Sequence, residues 1–137
     1  MMRNRSIPET VVIPELGYRD VNEAAAWLCR AFGFRERLRI GKHRIQVLVD
    51  GGGAVVATES PGRPDFGHSM LVRVKDVAAI YAQALAQGGT TIGKPEDHPY
   101  GERQCTVLDP GGHCWTFSQT LADVDPREWG GELVAEA

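Results

Sequence analysis

The sequence predicts an α+β fold of two tandem βαβββ modules, whose curved mixed sheets surround a cleft. Two observations predict it: short motifs recur at a fixed distance along the chain, and each copy has the same order of extended and helical segments. The chain has 137 residues, of which 42% are hydrophobic and 24% charged, as in an ordinary soluble globular domain. We therefore expect one domain over residues 1–137.

The repeat is visible at two places in each half. Tyr18–Val21 (YRDV) is echoed by Val74–Val77 (VKDV), and Asp50–Gly53 by Asp109–Gly112. Both pairs are offset by about 56 to 59 residues, which indicates tandem copies of one structural unit. The repeat predicts module one over about 10–59, a Pro- and Gly-rich linker over 60–66, module two over about 67–119 and a C-terminal tail over 120–137.

Each copy reads as a strand, a helix and three further strands. Asp20 or Asn22 is predicted to cap the first helix, because a short polar side chain can accept the free N–H groups there. Apolar residues at helical spacing and strand-like runs between turns predict the remaining elements. The predicted segments of module one are 10–18, 22–31 (helix), 34–40, 43–49 and 53–59, and those of module two are 67–75, 77–87 (helix), 91–96, 102–109 and 113–119.

One module by itself would leave one face of its sheet exposed, which is unfavourable. Two modules that face each other would enclose that surface as a cleft. Such a contact can form within one chain or between two chains of a dimer, and the sequence leaves both arrangements open.

Composition excludes several classes of function. The net charge is −3 and no basic stripe is present, so nucleic acid is not expected as a partner. The apolar runs are shorter than the roughly 20 residues that a membrane-spanning helix needs, so no membrane association is expected. Three cysteines without CxxC spacing argue against a disulfide framework and favour the reducing cytoplasm.

Three segments carry a resemblance to a known family: Arg30–Phe34 (RAFGF), Tyr100–Arg103 (YGER) and Val107–Trp115 (VLDPGGHCW). With the βαβββ order, they resemble the glyoxalase/bleomycin-resistance/extradiol dioxygenase (vicinal oxygen chelate) superfamily over about residues 10–120. The resemblance implies a glyoxalase-like fold, a ligand cleft and a homodimer.

The resemblance also implies where metal-dependent members hold their metal ligands, on the first and fourth strands of each module. By counting from the helix-start and turn aspartates, these positions are here Ile13, Ser69, Ala57 and Thr116. None has the imidazole or carboxylate that divalent metals of this class need. We therefore expect no metal and no other cofactor. If the register is shifted, His68 and Glu59 could face the cleft instead, but they would supply only two metal ligands.

Strand alternation predicts which side chains line the cleft. Ser69 shares a face with Leu71 and Arg73, and Thr116 shares one with Cys114 and Ser118. Glu59 shares a face with Ala57, and Glu15 with Ile13 and Gly17. The predicted ligand-binding residues are Glu15, Glu59, Ser69, Arg73, Tyr100, Arg103 and Thr116.

Three of these candidates have a second interpretation. Tyr100 stacks on an aromatic ligand, or else it only covers the edge of the core. Glu59 is the weak candidate for a catalytic base, or else a solvated carboxylate at a strand end. Arg103 has a guanidinium that can bind a ligand carboxylate or phosphate with two hydrogen bonds, or else it pairs internally with Glu102 or Asp109.

The leading hypothesis is a metal-free protein that sequesters or carries a small organic compound such as an antibiotic. The alternatives are a metal-dependent lyase, isomerase or dioxygenase of the glyoxalase type, and a structural or regulatory dimer. Whether any reaction is catalysed stays open at this point.

Overall fold

A computed structural model of the chain describes residues 5–10, 13–59 and 69–132. Both modules have the predicted βαβββ order. Their elements are β1 (Glu15–Tyr18), α1 (Val21–Phe32), β2 (Arg35–Ile40), β3 (Arg44–Val49) and β4 (Gly53–Glu59), then β5 (Met70–Arg73), α2 (Val77–Ala86), β6 (Thr90–Asp97), β7 (Glu102–Leu108) and β8 (Cys114–Thr120), with a 3-10 helix at Pro126–Trp129. The predicted linker lies outside the described residues, so the module boundaries stay a prediction.

Each module folds into one open four-stranded sheet. Sheet A has the strand order β1-β4-β3-β2, and sheet B has the order β5-β8-β7-β6. The first strand of each module runs parallel to the fourth, and the other pairs are antiparallel, so both sheets are mixed. The predicted α+β fold class is confirmed.

The repeated aspartates are helix caps. The Asp20 carboxylate accepts a hydrogen bond from the backbone N–H of Glu23 at 3.0 Å, and Asp76 accepts one from Ala79 at 3.2 Å. A capping side chain satisfies one of the N–H groups that the first helical turn leaves free, which explains why the motif recurs before both helices. The cap of α1 is therefore Asp20 and not Asn22.

The two modules meet through their helical sides. Helix α1 packs against α2, and no strand of sheet A contacts a strand of sheet B within the part of the chain that the structure describes. Phe32, at the end of α1, reaches across to sheet B, with ring centroids 5.4 Å from Trp115 and 4.8 Å from Phe117. One hydrophobic core thus serves both modules, and the non-helical faces of the two sheets point outward. Within residues 5–10, 13–59 and 69–132, the two sheets do not face each other across a cleft.

Asp109, in the tight turn of module two, joins the modules by hydrogen bonds. Asp109 is 6% exposed, and its carboxylate accepts from the Tyr18 hydroxyl and from Trp115 Nε1, the latter at 3.0 Å. The backbone N–H groups of Gly111 and His113 donate to the other carboxylate oxygen at 2.9 and 3.0 Å. Tyr18 belongs to β1, so this aspartate ties the first strand of module one to the last hairpin of module two.

We expect the hydrogen bond between Tyr18 and Asp109 to stabilise the fold less at alkaline pH. Burial, and secondly the charge of Asp109, raise the pKa of Tyr18 well above its ordinary value of about 10. The unfolded chain ionises Tyr18 near pH 10 while the folded chain does not. The contribution of this group to stability is therefore complete below about pH 10 and is lost as the pH rises further.

The measurement is urea unfolding of the wild type and of Tyr18→Phe between about pH 8 and pH 11. At neutral pH the variant should be less stable by about 1 kcal/mol, because one donor to Asp109 is gone. Above about pH 10 its free energy of unfolding should fall less steeply than that of the wild type. Tyr81→Phe is the control and should keep the wild-type slope, whereas parallel curves for wild type and Tyr18→Phe would contradict the prediction.

Candidate functional site

Strand alternation in sheet B agrees with the sequence prediction. Trp115 and Phe117 are fully buried in the core on the helical side, so Cys114, Thr116 and Ser118 lie on the non-helical face. On β5, Met70 and Val72 pack against the core, which leaves Leu71 and Arg73 on the non-helical face. Ser69 is exposed just before β5.

The strand register sets side chains of sheet B in rows across its non-helical face. Leu71, Thr116, Thr106 and Ile92 are cross-strand neighbours, one from each strand. At about 4.8 Å between strands, this apolar row is about 14 Å long. Leu71 and Ile92 at its ends are 70% and 60% exposed. The Thr106 and Thr116 hydroxyls hydrogen-bond to each other at 2.9 Å, which lessens the polarity of the middle of the row.

A second row is polar, and it lies two residues from the first on β5, β7 and β8 and four residues from it on β6, where the register shifts between Ile92 and Glu96. It consists of Arg73, Ser118, Gln104 and Glu96, again one from each strand. Gln104 Nε2 donates to Ser118 Oγ at 3.0 Å, and its Oε1 accepts from the Tyr100 hydroxyl at 3.1 Å. These bonds hold the polar groups of the row in one orientation.

Glu102 and Thr120 extend the polar row toward the end of the sheet. Glu102 Oε1 accepts a hydrogen bond of 2.7 Å from Ser118 Oγ, and Arg73 Nη2 donates to Thr120 Oγ1 at 3.1 Å. Hydrogen bonds from Ser118 and Thr120, and the positive charge of Arg73, lower the pKa of Glu102. Its carboxylate therefore stays ionised at neutral pH.

Tyr100 lies at the end of this face among other aromatic rings. His98 stacks on it at a centroid distance of 5.1 Å, and Trp129 meets it in a T-shaped contact at 5.7 Å. Trp129 belongs to the 3-10 helix of the tail, which the sequence analysis did not predict. The expected place of Tyr100 near a ligand face agrees with this geometry, but its binding role stays a prediction.

Arg103 and its strand neighbours show a different arrangement from the one expected. Arg103 forms a two-pronged ion pair with Asp97, with Nε to Oδ1 at 2.6 Å and Nη2 to Oδ2 at 3.1 Å. The internal partner is therefore neither Glu102 nor Asp109. Arg103 also alternates with the row residues on β7 and shares the side of buried Cys105, so it points away from the non-helical face.

The expectation that Ala57 faces the cleft is wrong, because Ala57 is 0% exposed and belongs to the core. Leu48 pairs with Ala54 in module one as Leu108 pairs with Cys114 in module two, so the hairpins match with an offset of one residue from the aspartate count. The counterpart of Thr116 is thus Val56.

Glu59 shares the strand side of Ala57 and lies exposed at the end of β4, on the helical side of sheet A. Its proposed roles in binding or catalysis stay predictions, and this position does not favour them.

Sheet A differs from sheet B because the chain covers its non-helical face. Gln46 is 3% exposed, and its Nε2 donates to the backbone carbonyl of Ser6 at 2.8 Å. Arg37 Nη2 donates to the carbonyl of Arg5 at 3.0 Å, and Pro8 is buried nearby. A cavity of about 530 Å³ remains between the segment Pro8–Thr10 and the β3–β4 hairpin.

Glu15 lies at the start of β1 on this face and pairs with Arg44 at 3.3 Å. It is therefore separated from the candidates on sheet B, and no described contact brings the two groups together. Ser69, Arg73, Thr116 and Tyr100 thus lie on or beside the non-helical face of sheet B, whereas Arg103 lies on the other face of that sheet and Glu15 and Glu59 belong to sheet A.

The described residues contain neither a cluster of metal-binding side chains nor a membrane-spanning helix. No group of three or more His, Cys, Asp or Glu side chains there is arranged to hold a metal ion. His68, named above as a possible ligand, is outside these residues. Within the same ranges, no helix is long and apolar enough to cross a membrane.

The chain matches a known protein family over most of its length. Residues 10–117 match the model of the Glyoxalase/Bleomycin resistance protein/Dioxygenase superfamily. An uncharacterized protein of Mycobacterium bovis is 35% identical over 78 residues, or 57% of this chain and 49% of that protein. The chain thus spans about half the length of the curated relatives that it matches.

Two solved structures resemble most of the chain. TioX from Micromonospora sp. ML1 is 31% identical, with a TM-score of 0.69, over 82% of this chain and 99% of that one. TnmS3, an antibiotic binding protein from Streptomyces sp. CB03234, is 25% identical, with a TM-score of 0.67, over 82% of this chain and 96% of that one.

Proposed function

Because the chain belongs to the glyoxalase/bleomycin resistance protein/dioxygenase superfamily, we propose that it binds a small organic molecule on the non-helical face of sheet B. The ligand is of the antibiotic kind, it is held without a metal, and it is sequestered or carried rather than transformed. The antibiotic binding protein TnmS3, similar over most of the chain, supports this ligand class.

One observation carries the proposal: the non-helical face of sheet B is open, whereas that of sheet A is covered. Large apolar side chains that stand exposed beside hydrogen-bonding groups are typical of a surface that binds something. Leu71 and Ile92 are such side chains, and the polar row lies next to them. The corresponding face of sheet A is covered by the segment that contains Ser6 and Pro8.

We further propose that the protein is a cytoplasmic homodimer whose second copy closes the cleft. A flat sheet face buries only one side of a ligand, while small-molecule sites bury most of the ligand surface. In the described residues the two modules meet through their helical sides, which supports the proposal that the second wall comes from another chain. In a two-fold dimer, each chain forms the second wall of its partner's cleft.

The test is calorimetric titration of the purified protein with bleomycin and a panel of planar aromatic antibiotics. We expect at least one of them to bind to the wild type, and Leu71→Glu to weaken that binding at least tenfold, because a charge would then stand in the apolar row. Leu85→Glu is the matched control, since Leu85 is exposed on α2, away from sheet B's open face, and this variant should bind like the wild type.

Two further measurements on the same sample complete the test. Sedimentation should show a dimer at micromolar concentration. A monomer that still binds the ligand would contradict the proposal that a second copy forms the other wall of the cleft. Elemental analysis should find no stoichiometric nickel, zinc, iron or manganese. One such ion per chain, required for binding or turnover, would support the glyoxalase-type enzyme instead, and a dimer that binds no compound would support a structural role.

A further inference from the structure

We infer that the ligand of sheet B is an aromatic acid, whose acid group is bound by Arg73 and whose ring system lies along the row from Leu71 to Ile92. This inference rests on the proposed function and adds the charge of the ligand and its orientation on the sheet.

Arg73 has hydrogen-bond donors to spare. A guanidinium has five N–H donors, and the described contacts of Arg73 use one of them, toward Thr120. The residue is exposed on the open face. A planar fork of this kind matches a carboxylate or sulfonate with two parallel hydrogen bonds, which are stronger than bonds between neutral groups.

The neighbouring acidic residue, Glu102, does not pair with the guanidinium of Arg73. Glu102 accepts from the Ser118 hydroxyl, and Thr120 is a second donor to its carboxylate. Among the ion pairs of the described residues, none joins Arg73 to Glu102. Glu102 therefore feels the positive charge of Arg73 but is hydrogen-bonded to hydroxyl groups and not to the guanidinium, so the remaining N–H donors of Arg73 are left for an acid from outside.

The apolar row determines the rest of the ligand. Leu71 lies two residues before Arg73 on the same strand face, about 7 Å away, so an acid group on Arg73 places the adjoining part of its molecule over Leu71. The row continues over Thr116 and Thr106, whose hydroxyls bond each other. A rigid ring system fits this stripe and needs no polar partner along it.

Glu96 favours one orientation of the ligand on the sheet. It stands at the opposite end of the polar row from Arg73, three strand spacings or about 14 Å away. Its exposed carboxylate repels an acid at that end. The acid group of the ligand therefore meets β5, and the ring system extends toward β6.

Two fluorescent dyes with one ring system test the inference. 8-Anilinonaphthalene-1-sulfonate is an aromatic acid, and N-phenyl-1-naphthylamine is the same molecule without the sulfonate. We expect Arg73→Gln to weaken binding of the acid about tenfold, the loss of one charge-assisted contact, and to change binding of the neutral dye less than twofold. Added salt should weaken binding of the acid to the wild type and have little effect in the variant.

The controls separate this inference from the proposed function. Arg19→Gln removes an exposed positive charge elsewhere and should leave both dyes unaffected, and circular dichroism checks that each variant is folded. If both dyes bind and Arg73→Gln changes their affinities equally or not at all, the inference is overturned while the binding face stands. If neither dye binds, or if Leu71→Glu leaves binding of the neutral dye unchanged, the proposed face itself is wrong.

Discussion

Replacing Asp109 with alanine is expected to lower the free energy of unfolding by about 3 kcal/mol or more. The carboxylate accepts from the Tyr18 hydroxyl, from Trp115 Nε1 and from the backbone N–H groups of Gly111 and His113. The variant leaves these donors without their acceptor in a buried place, and an unsatisfied buried donor costs more than the bond contributes.

Urea unfolding measures this loss, with Asp123→Ala as the control. Asp123 is exposed in the tail, and its replacement should change stability by less than about 0.5 kcal/mol. In the double variant with Tyr18→Phe, the losses should be less than additive, because both changes remove the same bond. A loss below about 1 kcal/mol for Asp109→Ala, or strict additivity, would contradict the role of Asp109 in joining the modules.

Replacing Phe32 with alanine is expected to cost about 3–5 kcal/mol. This ring is the centre of the aromatic core: it contacts Trp27 and Phe34 of module one at 5.1 and 5.5 Å, and Trp115 and Phe117 of module two. Its removal leaves a cavity where the two modules meet, and close-packed neighbours relax only partly into such a space.

The same unfolding measurement tests this prediction, with two comparison variants. Phe32→Leu keeps most of the volume and should cost clearly less than the alanine variant. Leu121→Ala alters an exposed apolar residue and should change little. Because one core serves both modules, tryptophan fluorescence and far-ultraviolet circular dichroism should lose structure together in the wild type. Separate transitions for the two modules in the wild type would contradict the shared core.

Local signals predicted the elements well. The helix predicted at 22–31 is observed at Val21–Phe32, and Asp20 and Gly33 stand at its ends as cap residues. Such caps depend on a few neighbouring residues, which is why they can be recognised in a sequence. The second helix, predicted at 77–87, is observed at Val77–Ala86, with Val77 buried and Leu85 45% exposed.

The prediction of faces succeeded for β5 and β8 and for Glu15 on β1, and it failed for β4. The aspartates Asp50 and Asp109 look equivalent, yet the strand pairs show a shift of one residue between them. Alternation in a strand has a period of two, so this single residue moves Ala57 and Glu59 to the opposite side of the sheet. Only the register, which depends on cross-strand pairing, reveals the shift.

The sequence by itself determined the two βαβββ modules, the residues that cap their helices and the parity of the strands in module two. These features follow from local periodicity and from turn and cap chemistry within each module. The tertiary structure decided which sheet face is open: the segment with Ser6 covers sheet A, Arg103 pairs with Asp97, and Arg73 keeps donors free of described partners. These contacts join residues from different elements, and which of them form depends on how the whole chain packs.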